Sequence, residues 1–151
     1  MSKKRYQMDE DAYPIAWRFN ALDCLLSEID KKRIVLFESL ESQRLWDTFI
    51  PVKNLMELDN NTFMLHEKVA LDFECESDPL AFFVERLSFP DFIWFFWGRS
   101  SAGIVPREVF LKSWSDFFYP SDESSILLIP KSSRVIFSFD DMFFYGDLLK
   151  S

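Results

Sequence analysis

Phe92-Ile93-Trp94-Phe95-Phe96-Trp97 is an unbroken apolar run, set between Pro90 and Gly98. It is too short for an ordinary helix and rich in aromatic residues, so it reads as a strand covered on both faces and placed at the centre of a sheet. C-terminal to it, Gly98-Arg99-Ser100-Ser101-Ala102-Gly103 followed by Ile104 and Val105 reads as a connecting loop. Residues 106–118 carry Pro106 near the start and apolar side chains at 109, 110, 114, 117 and 118, the spacing of a helix that crosses the sheet. Three short strands close the chain, at 125–129, 134–139 and 142–145, the last two joined by a tight turn at Asp140-Asp141.

N-terminal to the aromatic run, Ser77-Asp78-Pro79 opens a helix bearing Leu80, Phe82, Phe83, Val84 and Leu87. Asp59-Asn60-Asn61 marks a turn, and residues 62–76 alternate well enough for one or two strands, most clearly over 69–76. Ser39 caps a helix that carries Leu40, Leu45, Trp46, Phe49 and Ile50 and stops at Pro51. Residues 20–29 place Ala21, Leu22, Cys24, Leu25, Leu26 and Ile29 on one helical face, with Asn20 as its cap. The expected fold class is α+β, a single antiparallel sheet with short helices packed on it. With few glycines and no linker-like stretch, residues 1–151 form one globular domain, of which 1–13 is a polar N-terminal arm.

The chain carries 17 Lys and Arg against 25 Asp and Glu, a formal charge of −8, which argues against direct nucleic-acid binding. The imbalance is local: residues 1–33 sum to +1, 93–151 to −1 and 34–92 to −8. The longest apolar run is far below the roughly 18 residues of a membrane-spanning helix, and no signal-like apolar stretch follows the basic start, so a cytoplasmic location is expected. Cys24 and Cys75 read as free thiols rather than a disulfide.

Within the acidic third, Asp72, Glu74, Glu76 and Asp78 fall at every second position. If the strand persists they project from one face, about 6.5–7 Å apart along it. Such a row either guards an exposed sheet edge against pairing with other chains or forms a binding surface for a basic partner. A straight strand spreads carboxylates too widely for a Mg²⁺ or Ca²⁺ site. We expect these four residues to be the partner-binding set.

Recognisable catalytic chemistry is missing. His66-Glu67 lacks the second His of a zinc helix, and no Gly-x-Ser-x-Gly elbow supplies a nucleophile for His66. Gly98 and Gly103 lead into Ile104 rather than Lys, so they do not form a phosphate loop. Trp94 and Trp97 lack the basic groove of a base-stacking platform and read as core. No cofactor, metal or catalytic residue is expected.

Small size, acidity and an aromatic-rich α+β core without catalytic residues resemble the cytoplasmic immunity proteins of bacterial toxin–immunity pairs, including contact-dependent inhibition systems. Leu45-Trp46, then Phe92-Ile93-Trp94-Phe95, then the segment from Val109 to Phe118 is also similar to a family of uncharacterised small bacterial proteins. The first resemblance implies a role, binding and blocking a cognate basic toxin domain such as a nuclease. It carries over no individual residue. Two other readings stand beside it: a small enzyme using Asp72, Glu74 or Glu76 with His66, and a housekeeping adaptor domain.

Overall fold

The computed structural model of the chain describes residues 7–70, 77–87, 91–118, 124–140 and 142–149, with the side chains of Ser77 and Asp78 excepted. After a short 3₁₀ turn at Pro14–Ala16 come α1 (Trp17–Asn20), α2 (Glu28–Lys32), β1 (Val35–Phe37), α3 (Ser39–Phe49) and a second 3₁₀ turn at Leu55–Glu57. Then follow β2 (Phe63–Ala70), α4 (Ser77–Arg86), β3 (Phe92–Trp97), β4 (Ala102–Pro106), α5 (Arg107–Lys112), α6 (Trp114–Phe117), β5 (Ser125–Leu128), β6 (Arg134–Phe139) and β7 (Met142–Leu148). The seven strands form one open sheet in the order β1-β4-β3-β5-β6-β7-β2, every pair antiparallel. The fold is α+β.

The aromatic run is β3, third in the sheet, paired to β4 on one side and β5 on the other. β5 holds the middle place. Alternation along β3 sends its side chains to two separate cores. Ile93, Phe95 and Trp97 join Val105, Leu127, Ile136 and Phe143 under the short helices, whereas Phe96 joins Ala102, Ile126, Val135 and Phe137 under α3. On the first face, Phe19 from α1, Phe83 from α4, Phe110 from α5 and Phe117 from α6 are fully buried. On the second, Trp46 from α3 meets the Phe96 ring edge-on at 5.7 Å and donates its indole N–H to the Val52 carbonyl at 2.7 Å.

Three expectations need correction. Residues 20–29 are not a helix: α1 ends at Asn20 and Ala21 is extended. Asn20 instead clamps Met8, taking its N–H at 2.7 Å and donating to its carbonyl at 2.9 Å, while Ser27 caps α2. Only part of the apolar pattern there turns inward: Leu26 is buried, but Leu22 is 88%, Leu25 60% and Ile29 75% exposed.

The expected loop after Gly98 is a tight turn followed by β4, whose Gly103 lies between Phe95 and Leu36. The turn needs Gly98, at φ +111°. The helix over 106–118 breaks at Ser113 (φ −146°, ψ 44°) into α5 and α6. In one straight helix Phe110 and Phe117 would stand about 10 Å apart along the axis; the break brings their rings to 5.3 Å. Strand β2, Phe63–Ala70, falls within the expected 62–76 stretch; residues 71–76, which hold most of its clearest alternation, lie outside the described residues, and Asp78 belongs to α4.

Candidate functional site

Three features of the described residues carry chemistry. The first lies on the seam between β2 and β7. The pairing register slips between Leu65 and Glu67, so that both His66 and Glu67 stand opposite the Gly146–Tyr145 step. This β-bulge turns both side chains to one side of the ladder. His66 Nε2 lies 2.6 Å from Asp147 Oδ2, while Glu67 pairs with Arg86 of α4. Asp147 Oδ1 also accepts from the Ser133 hydroxyl at 2.8 Å and from Arg134 Nε at 3.0 Å. The guanidinium groups of Arg86 and Arg134 stand 5.6 and 5.4 Å from the Tyr145 ring centre.

For His66 to activate Ser133, its imidazole would have to receive the serine proton directly. Here the carboxylate lies between, taking one hydrogen bond from each, so the arrangement fastens the edge strand rather than activating Ser133. His66 is partnered by Asp147, a residue the sequence alone does not connect to it. Asp72, Glu74 and Glu76, proposed beside it for the enzyme reading, lie outside the described residues, as does Cys75. Asp78 is in α4, so the four carboxylates do not share one strand face.

The second feature is buried. Asp116, in α6, accepts the Leu25 N–H at 2.9 Å and lies near the Cys24 thiol. Cys24 is a free thiol. Burial pushes the Asp116 carboxyl above its ordinary range, only partly offset by the Leu25 N–H, and burial likewise raises the Cys24 thiol. Asp147 differs. Burial alone would raise it too, but the hydrogen bonds from His66 and Ser133 and the Arg134 charge outweigh that and hold it below its ordinary value.

The two carboxylates therefore have opposite effects on the pH dependence of stability. The contribution of Asp147 is full above the ordinary carboxylate range and is lost as pH falls through its depressed value. That of Asp116 is present below the ordinary range and is lost as pH rises through its raised value. Asp147→Asn is expected to flatten the acid limb of a plot of melting temperature against pH, and Asp116→Asn to remove a decline on the side of rising pH. Parallel curves for parent and both variants between about pH 2 and 7 would contradict these signs.

The third feature is a groove on the second sheet face. Phe49 of α3, Phe92 and Trp94 of β3, Leu128 of β5 and Leu148 of β7 line a half-open cavity of about 760 Å³, together with the turn of residues 130–133. Trp94 is therefore a half-buried wall residue, its ring 5.3 Å from that of Phe49, and not core as expected; Trp97 is buried.

No family model, curated protein or solved structure matches the chain.

Charge completes the picture. The described acidic residues of the 34–92 region, Glu38, Glu41, Asp47, Glu57, Asp59, Glu67, Glu85 and Asp91, are all exposed. Five of them lie between 38 and 59, on α3 and the segment after it, where Leu40 and Met56 are also exposed. α3 is fixed in place by Asp47, whose carboxylate takes two hydrogen bonds from Arg99 in the β3–β4 turn, at 3.0 and 2.7 Å. The described residues contain no cluster of three or more His, Cys, Asp or Glu placed to hold a metal, and no helix among them is long and apolar enough to cross a membrane.

Proposed function

We propose that the chain is a non-enzymatic binding protein, an immunity protein that neutralises a cognate basic toxin domain, with a nuclease as the best-fitting target, in the cytoplasm. The observation that carries this reading is the exposure of every described carboxylate in the acidic third of the chain. Some of these carboxylates pair within the chain, as Asp47 does with Arg99 and Glu67 with Arg86, but an excess of exposed like charge attracts a basic surface and speeds its encounter. Leu40 and Met56 supply apolar contact points among the carboxylates of the α3 segment, the combination of apolar centre and polar rim found in protein interfaces. Asp72, Glu74, Glu76 and Asp78 extend the acidic set in sequence. The enclosure of Asp147 between His66 and Ser133 favours binding over acyl-transfer chemistry.

The test begins with affinity capture from the native host and assay of whether the chain suppresses the captured partner's activity at one-to-one stoichiometry. Binding kinetics at two salt concentrations then compare the parent with Asp72→Asn/Glu74→Gln/Glu76→Gln and with Glu38→Gln/Glu41→Gln/Glu57→Gln. Both triple variants should melt at or slightly above the parent temperature, because each removes three like charges from a chain with an acidic excess. At least one should associate more slowly and with weaker salt dependence. Unchanged affinity and salt dependence in both would remove the acidic surface from the interface.

A further inference from the structure

We propose that the groove beside α3 binds an amphipathic monoanion, a carboxylate carried on an apolar chain, with the chain against Phe92, Trp94 and Leu128 and the carboxylate on Lys131 Nζ. This assignment is independent of the toxin reading, since it concerns a small ligand and the chain on its own. The cavity, at about 760 Å³, falls within the range of small-molecule sites, about 300–1,000 Å³. Its floor and walls are aromatic and aliphatic side chains, which offer water few partners, so an apolar body filling it removes that surface from solvent.

Polarity is confined to the turn of residues 130–133, and there only one side chain is free to engage a ligand's charge. The Ser132 hydroxyl donates to the Ile129 carbonyl at 2.7 Å and accepts from the Arg134 N–H at 3.1 Å. The Ser133 hydroxyl is committed to Asp147. Lys131 lines the cavity and forms no ion pair with any described residue. An apolar site with one unneutralised cation in its lining is complementary to a ligand with one anionic end, favours it over a neutral hydrogen-bonding group and repels a cation.

The backbone gives this lysine a second distinction. Lys131 holds φ +62°, in the left-handed region where glycine or asparagine would sit at lower cost. The position thus places a cation at the cavity where a more stable turn was open to the sequence.

Calorimetric titration with decanoate and with decanol, on the parent chain, Lys131→Gly and Lys131→Gln, tests the assignment. The parent should bind decanoate saturably at one site, and binding should weaken about tenfold for decanol and for decanoate with either variant, the loss expected for one charge-assisted contact. Lys131→Gly should also melt at a higher temperature than the parent, separating loss of the ligand contact from loss of the fold. Absence of saturable binding, equal affinity for decanol, or variants that retain parent affinity for decanoate would each overturn the proposal. So would a dimer that Phe92→Asp dissociates and that leaves decanoate unbound, since the groove would then belong to a second copy of the chain.

Discussion

Phe95→Ala is expected to lower the unfolding free energy by about 3–5 kcal/mol, the cost of removing a large aromatic side chain from a packed interior and leaving a cavity behind. Phe95 is fully buried, with its ring 4.8 Å from Trp97, 4.9 Å from Phe118 and 5.4 Å from Phe117. These partners come from β3 itself, from α6 and from the residue just after it, so the vacancy touches both the sheet and its cover. Its neighbour Trp94 is the larger side chain but forms a wall of the open groove, and Trp94→Ala should cost only about 1–2 kcal/mol. Urea unfolding of both variants, analysed with a common slope, measures the difference. Equal losses would mean that the groove is filled and that Trp94 belongs to the core.

Gly146→Ala should be as damaging from a position that buries no side chain. Gly146 faces the bulge of β2, and a methyl group there would overlap the Met64 carbonyl oxygen and lie 2.7 Å from the Phe63 ring. The first obstacle is backbone, which cannot rotate away, so strand β2 must separate from β7. We expect a loss of about 3 kcal/mol or more, at the upper end of overpacking effects. Hydrogen exchange should locate it: amides of β2 lose protection while those of β3 and β5 keep theirs. Uniform loss of protection across the sheet would show that β2 folds as one unit with the rest.

The two predictions come from opposite ends of what local sequence reveals. The strand character of β3, the α3 helix ending before Pro51 and the tight turn at Asp140, which takes φ +52°, were all legible because the signal in each is local, whereas the second face of β3 stays partly open at Phe92 and Trp94. The 20–29 segment misled because helical spacing of apolar residues does not say which neighbour will claim the backbone. Asn20 closes on Met8 and Asp116 takes the Leu25 N–H, both tertiary contacts that outweigh a weak local preference. β1 and β4 were hidden by their brevity and by the small residues of β4. The seam linking His66 to Asp147 spans 81 positions and depends on a bulge, so no spacing rule could have joined them. The cation at the groove was equally silent, since Lys131 becomes notable only through its backbone angle and its neighbours' commitments.

An open sheet has two edges, and in this one they are unequal. β1 offers three residues and β2 eight, the latter bent by its bulge. The β1 side is also flanked by Met8, Asp9 and Tyr13, which share a surface hollow with residues 34–36. Endless stacking of copies requires each edge to accept the opposite edge of the next molecule, a head-to-tail contact that never closes. A three-residue strand gives such a contact too few hydrogen bonds to hold. Pairing of β2 with β2 about a two-fold axis uses the long edge twice and then leaves none exposed. Among the described residues, the inequality of the edges therefore favours a closed pair over fibre growth in any strand-to-strand association.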